Sequence, residues 1–209
     1  MAWLISARNG KDLSAMDIVR GLKACYGLST VCAMFLSFGG FLSLWKFERI
    51  SLHEIGKHNV VEHDASLVHH DTPEGQSYAP IEIDHSLVDA LVSDVKPSSA
   101  EIEGSPDPTA KFLMNYEDVA RARVRREAEC KPLAFVQAEI ARGEMAIILD
   151  LWEVKTKDKT GIPVDYFKQW IGEERLPDGW KPDHSLGLLN VISRAMQIRG
   201  AMNQIRKES

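Results

Sequence analysis

Apolar residues recur at helical spacing along most of this 209-residue chain, and polar capping residues mark where the runs begin and end. Ser14, with Asp17 three residues later, is typical of a capping box, and Gly27 is typical of a helix end. No alternation longer than a few residues predicts a strand, so the expected fold class is all-α, a compact single-domain multi-helix fold. The pattern predicts helices over residues 15–26, 30–44, 51–57, 83–93, 116–129, 134–151, 163–170 and 186–205.

One part of the chain, residues 72–110, is expected to be an irregular Pro-rich loop region inside a single domain that spans residues 1–209. Proline has no backbone N–H and interrupts both helices and strands, so only the helix over 83–93 is predicted within this region. The prolines that break it are Pro73, Pro80, Pro97, Pro106 and Pro108.

Composition and charge exclude several classes of protein. Apolar residues make up 44% and charged residues 26%, which is ordinary for a globular chain. The 25 Lys and Arg residues against 30 Asp and Glu residues give a formal charge of -5, so no nucleic-acid partner is expected. The most apolar stretch, residues 27–45, contains Ser, Thr and Gly residues, which favours a buried helix over a membrane-spanning one. No membrane partner is therefore expected. The first residues lack the order of an export signal, which favours a cytoplasmic protein for the sequence as written.

Candidate chemistry is concentrated near residue 62. The side chains of Glu62, Asp64 and Ser66 place oxygen atoms at positions i, i+2 and i+4, which suits a hard cation such as Mg²⁺, Mn²⁺ or Ca²⁺. Several histidines lie nearby, but no pair has the spacing of a zinc motif and no cysteine is close in sequence. The alternative interpretation is a solvated polar helix end without a ligand.

Residues 57–67, Lys-His-Asn-Val-Val-Glu-His-Asp-Ala-Ser-Leu, closely resemble the signature of the fungal heme-thiolate peroxidases, the chloroperoxidase and unspecific peroxygenase family. The resemblance implies a chloroperoxidase-like fold, a heme b cofactor and an oxidoreductase that uses hydrogen peroxide on a small organic, in the first place aromatic, substrate. Some members act in secondary metabolism, so that setting is expected here too. Other segments resemble the family in the same order, at residues 9–14, 18–23, 26–29, 120–127, 143–146 and 173–177 with Trp180.

The resemblance also implies a role for individual residues. Glu62, Asp64 and Ser66 by side chain, and His63 by its backbone carbonyl, would bind Mg²⁺ or Mn²⁺ beside a heme propionate. Glu144 would be the catalytic acid–base that moves the peroxide proton, and we expect it to face the same cavity as the metal ligands.

The residues around Glu144 permit this role. An apolar helix face borders it, and a carboxyl held there is expected to have a raised pKa. The plain alternative is an exposed helix glutamate. The fallback acid–base is Glu139, about 140° round the helix, so the two carboxylates are not expected to share one face.

The chain departs from the family in one respect, because it contains no Pro-Cys-Pro motif, which carries the family's iron ligand. Cys25, Cys32 and Cys130 are interpreted as structural residues. Three explanations stay open: an N-terminally incomplete gene model, a heme-free paralogue that acts as a binding or interaction module, or another iron ligand. For the sequence as written we expect an open apolar groove, weak heme binding and no thiolate spectrum.

Two further groups of residues are interpreted as structural. Trp152, Trp170 and Trp180 are predicted to be core or interface aromatics. Four arginines are predicted to form a salt-bridged helix face rather than a phosphate site, because acidic residues surround them. They are Arg121, Arg123, Arg125 and Arg126.

Overall fold

The computed structural model of the protein describes residues 11–43, 49–51, 65–74, 82–97, 112–130, 132–156, 159–182 and 184–208. The structure is mostly helical, which confirms the all-α prediction. None of the described helices is long and apolar enough to cross a membrane. The elements in chain order are α1 (Ala15–Tyr26), α2 (Thr30–Ser43), α3 (His85–Ser93), β1 (Leu113–Met114), α4 (Tyr116–Glu129), α5 (Phe135–Leu151), β2 (Val154–Lys155), β3 (Thr160–Pro163), α6 (Val164–Phe167) and α7 (Leu188–Glu208).

Local capping fixes the helix starts that the sequence predicts. The Asp17 backbone N–H donates to Ser14 Oγ at 3.2 Å, and the Ser14 N–H donates back to Asp17 Oδ2 at 3.0 Å. Asn115 and Asp118 form the same reciprocal box at the start of α4. Each box satisfies two backbone donors that a helix end would otherwise leave without partners. The helix predicted over 51–57 lies outside the described residues, apart from residue 51.

The structure contains a small antiparallel sheet, of strand order β1-β3-β2, that the sequence did not predict. Leu113 pairs with Pro163, and Val154 pairs with Gly161. The predicted helix over 163–170 is therefore wrong at its first residue: Pro163 ends β3, α6 follows it, and the chain continues as a π-helical turn over Lys168–Gly172.

Three helices are brought side by side by contacts that are distant in sequence. The turn between α1 and α2 is joined to the segment before α7, since the Ser29 N–H donates to the Leu186 carbonyl at 2.8 Å and the Leu186 N–H donates to the Gly27 carbonyl at 2.9 Å. α7 then packs mainly on α4 and α5. Arg194 of α7 pairs with Asp150 of α5 at 2.7 Å. These contacts place α2, α5 and α7 around one groove.

The tryptophans lie in the core, as predicted. Trp152 is buried, and its ring centroid lies 4.2 Å from that of Trp170 and 5.5 Å from that of Trp180. Trp180 Nε1 donates to the Cys25 carbonyl at 2.9 Å. This aromatic cluster joins the C-terminal end of α5 to α1 and to the chain after α6.

Candidate functional site

The groove between α2, α5 and α7 has a volume of about 1040 Å³. Pockets for small molecules usually measure about 300–1,000 Å³, so this groove can hold a large organic ligand. Its described lining is apolar except for the side chains of four residues. They are Gln137, Glu139, Glu144 and Arg199.

Each wall of the groove exposes large apolar side chains. Phe35 of α2, Phe135 of α5 and Met196 of α7 are 60%, 72% and 57% exposed. Contiguous exposed apolar surface is uncommon on a globular protein and marks a binding site for a ligand or partner. The groove is therefore the strongest candidate binding site in the described part of the chain.

Three glycines leave the backbone of the groove open. A Cβ atom built at Gly39 or Gly40 of α2, or at Gly143 of α5, would meet no heavy atom within 4 Å. A glycine inside a helix costs roughly 0.5–1 kcal/mol relative to alanine. Glycines that face a groove let a flat ligand lie close to the helix backbone. The walls therefore suit a broad, planar, apolar molecule.

Glu144 is exposed and lines the groove, as does its neighbour Gly143. The helix face beside it carries Ala141 and Met145 into the core, as the apolar pattern predicts. Arg123 is a buried guanidinium whose pKa is lowered by burial, and the nearby charges of Glu127 and Glu144 partly restore it. Glu144 thus adds a carboxylate, whose charge acts on the buried Arg123, to an otherwise apolar wall.

Glu139 also lines the groove, so the groove is wide enough to be bordered by two carboxylates that the helical wheel separates by about 140°. It has two cationic partners: Arg142 Nη2 lies 2.8 Å from Glu139 Oε1, and Arg199 Nη1 lies 3.2 Å from it. The hydrogen bond from Arg142, and then the charges of both arginines, hold the pKa of Glu139 below its ordinary value. Glu139 is therefore a firmly ionised carboxylate.

The predicted metal ligands are only partly described. Glu62, His63 and Asp64 lie outside the described residues, whereas Ser66 lies within them. Ser66 Oγ accepts the backbone N–H groups of Val68 at 3.1 Å and His69 at 3.0 Å. A hydroxyl oxygen has two lone pairs, so Ser66 fits a metal ion only if one of these bonds opens.

No group of three or more His, Cys, Asp or Glu side chains within the described ranges could hold a metal ion. The cation site therefore stays a prediction. Whether Glu144 shares a cavity with Glu62 and Asp64 also stays a prediction, because both acidic residues lie outside those ranges.

The arginines of α4 form the salt-bridged face that the sequence predicts. Arg121 pairs with Asp118, and Arg125 pairs with Asp94. Arg126 pairs with Asp71.

Two of these arginines have a further role that sequence reasoning missed. Arg123 is buried and donates to the Ala65 carbonyl at 2.7 Å, and Arg126 donates to the Ser66 carbonyl at 3.0 Å. They attach the end of segment 57–67 to α4. Their spacing of three residues puts them on one helix face, which is the only signal of this role in the sequence.

The cysteines have the surroundings of structural residues. Cys25 and Cys130 are half-buried, and Cys32 is fully buried at the edge of the groove. Burial raises the pKa of all three thiols, which keeps them protonated at neutral pH. Their thiols therefore have the weakly acidic character of buried structural cysteines rather than of activated ones.

The chain is similar in sequence to a known family of peroxidases. Residues 5–185 match the family described as "Peroxidase, family 2", which spans α1 to α6 and ends before α7. No curated protein matches the chain significantly. Two walls of the groove, α2 and α5, lie inside the matched region, and the third lies outside it.

Proposed function

The chain belongs to peroxidase family 2, and we propose that it is a heme-dependent peroxidase or peroxygenase whose porphyrin lies in the groove between α2, α5 and α7. Its substrates in this proposal are hydrogen peroxide and a small organic, in the first place aromatic, molecule. The single observation that carries the proposal is the Glu144 carboxylate in the wall of a large apolar groove.

The groove has the chemistry that a porphyrin requires. Its walls are apolar, and Gly39, Gly40 and Gly143 leave room for a flat ring against two of the three helices. Heme, when bound, supplies an iron that coordinates and cleaves peroxide. Orientation of the ring and exclusion of water would fall to the apolar side chains of the walls.

Glu144 is proposed to move the peroxide proton. With heme bound, its carboxylate would accept a proton from one oxygen of hydrogen peroxide and return it to the other. The O–O bond could then break with water as the leaving group, while the heme supplied the two electrons that the remaining oxygen needs. Glu139 is less suited, because a carboxylate paired with two arginines is a weaker base than an ordinary glutamate.

The cation is a separate part of the proposal. Glu62, Asp64 and Ser66 by side chain, with the His63 carbonyl, are the proposed ligands of Mg²⁺ or Mn²⁺. Arg123 and Arg126 support this segment, because they bind the carbonyls of Ala65 and Ser66 at its end. Removal of divalent cations by a chelator tests this part independently of the groove.

A second candidate function is a heme-free binding module that holds an apolar ligand in the same groove. The groove supports it, because a described lining that is apolar apart from four side chains would hold such a ligand without iron. The two functions differ in one outcome: only the peroxidase consumes hydrogen peroxide when heme is bound.

Glu144→Gln tests the proposal, since the amide keeps the size of the side chain and cannot accept the proton. In the hemin-loaded chain we expect the rate of peroxide-dependent oxidation of a phenol to fall by about 10²–10⁴-fold with unchanged hemin affinity. Glu129→Gln is the matched control, because Glu129 is an exposed helix glutamate that does not line the groove. A Glu144→Gln protein as fast as the control contradicts the assignment, and hemin binding without any turnover favours the binding module.

A further inference from the structure

The described lining of the groove contains one cationic side chain, Arg199 of α7. Its side chain is 44% exposed, and its Nη1 lies 3.2 Å from Glu139 Oε1. α7 lies beyond the matched residues 5–185.

Glu139 also pairs with a second arginine, Arg142, and at a shorter distance than with Arg199. Arg142 is buried, its side chain only 8% exposed, and its Nη2 lies 2.8 Å from the same Glu139 oxygen. Arg142 Nε has no hydrogen-bond partner within the described residues, so loss of Glu139 would strand much of a buried charge. We therefore expect the Arg142–Glu139 ion pair to persist when a ligand binds, and Arg199 to be the arginine that can exchange Glu139 for the ligand.

The ion-pair cluster of Glu139, Arg142 and Arg199 carries an excess of one positive charge, whereas Glu144, the other charged side chain of the described lining, is an anion outside this cluster. Glu139 carries one negative charge, whereas Arg142 and Arg199 carry two positive charges between them. The excess lies on the more exposed arginine, beside an apolar groove. A complementary ligand has a broad apolar body and an anionic edge, and a guanidinium binds a carboxylate edge with two parallel hydrogen bonds.

We infer that Arg199 binds a propionate carboxylate of the porphyrin and that α7 thereby fixes how the ring is oriented in the groove. The inference rests on the proposed function, because heme b is a flat apolar ring with two carboxylates on one edge. On binding, Arg199 exchanges Glu139 for the propionate, while Glu139 stays with Arg142.

The two partners of the ion pair then have opposite effects on binding. Arg199→Gln removes the propionate partner and weakens hemin binding. Glu139→Gln removes the competitor for Arg199 and leaves hemin binding equal or tighter. A pair that only stabilised the groove would shift the affinity in the same direction in both variants.

The chain offers a closely matched control in Arg206. It lies on α7, its side chain is 46% exposed, and it pairs with Glu127 at 2.5 Å. Glu127 is shared with the buried Arg123 at 2.9 Å, just as Glu139 is shared with Arg142. Arg206 does not line the groove. Arg206→Gln thus removes the same charge from an equivalent pair elsewhere on the same helix.

The experiment titrates the full chain with hemin and with hemin dimethyl ester, whose carboxylates are neutral, and follows the Soret band and tryptophan fluorescence. For Arg199→Gln we expect the Kd for hemin to rise about tenfold, equivalent to about 1.4 kcal/mol, with no change for the diester. Arg199→Lys is expected to recover part of the affinity, and Arg206→Gln is expected to bind both porphyrins as the wild type does.

The inference alone is overturned by equal hemin affinity in Arg199→Gln and Arg206→Gln, or by an equal loss of affinity for hemin and its diester. A wild-type chain that binds neither porphyrin overturns the proposed function and this assignment together. Weaker hemin binding in both Glu139→Gln and Arg199→Gln also overturns the assignment of Arg199, because the ion pair would then only stabilise the groove.

Discussion

Glu139 and Glu144 lie five residues apart on α5 and line the same groove, yet their partners differ. Glu139 contacts the guanidinium groups of Arg142 and Arg199, which hold it as a carboxylate. Glu144 is exposed at the groove wall, and its charge acts on the buried Arg123. The first glutamate has the surroundings of a structural anion, and the proton-transfer role of the second stays a proposal.

Substitution of Glu139 has an effect on stability that depends on pH. Its pKa is lowered in the folded state, chiefly by the Arg142 hydrogen bond, so its stabilising contribution is present above its ordinary value of 4.5 and is lost as the pH falls through the folded pKa. We expect Glu139→Gln to lower the free energy of unfolding by on the order of 1 kcal/mol at pH 7. Denaturant titrations of wild type and variant between pH 7 and pH 3 measure the difference.

Arg199→Gln is the control for this prediction, because it leaves the Arg142 hydrogen bond in place and is expected to keep most of the pH dependence. The account is contradicted if the difference between wild type and Glu139→Gln stays constant, or grows, as the pH falls below 4.5.

At the residue scale the sequence identifies some site residues and misses others for a physical reason. Glu144 could be chosen from the sequence as the candidate acid–base, because it lies in a segment that resembles the family and borders an apolar helix face. Arg199 could not, since nothing local distinguishes it from other exposed arginines of α7. Its role depends on where α7 lies relative to Glu139, which is 60 residues earlier.

At the scale of elements, local signals predict helices well and strands poorly here. α4 begins and ends where the pattern predicts because Asn115 and Asp118 satisfy its first N–H groups. The strands contain two to four residues each, too few for an alternating pattern to be visible. Pro163 was predicted to start a helix, but it pairs with Leu113 at the end of β3.

The turn after α1 is the element that ties the groove walls together, and Gly27 is essential to it. Its φ is +68°, and a Cβ there would lie 2.6 Å from the His184 carbonyl oxygen. We expect Gly27→Ala to destabilise the protein by more than the roughly 1–2 kcal/mol of left-handed strain alone, because the segment before α7 must also move. Thermal or denaturant unfolding measures the loss.

Gly179→Ala separates the cost of left-handed backbone strain from the cost of a steric clash. Gly179 has a φ of +72°, and a Cβ there would meet nothing within 4 Å, so this variant carries strain without a clash. We expect it to lose clearly less stability than Gly27→Ala and to keep the affinity of the groove for hemin. Equal losses in the two variants would contradict the argument that this turn positions α7.

At the scale of the whole molecule, three helices from distant parts of the chain create one apolar groove. The family resemblance leads us to expect an open apolar groove, and the structure contains one; its identity as the side of the iron that Pro-Cys-Pro would cover remains a prediction. Its width and its single described cation could not be predicted, because they depend on how α7 packs on α4 and α5. The extent of the domain over residues 1–209 also remains a prediction.

The most direct test of the central claim is equilibrium binding of hemin by the wild type, Gly143→Leu and Gly200→Leu. Both glycines lie within helices and have open space at the Cβ position, but only Gly143 lines the groove. Either substitution is expected to raise helix stability by up to about 1 kcal/mol, so a loss of binding cannot come from unfolding.

The account predicts an equimolar hemin complex in the wild type and in Gly200→Leu, and at least about tenfold weaker binding in Gly143→Leu, where the new side chain fills the porphyrin space. A wild-type chain that does not bind hemin, or a Gly143→Leu variant that binds it as tightly as Gly200→Leu, would contradict the claim that the groove is the heme site.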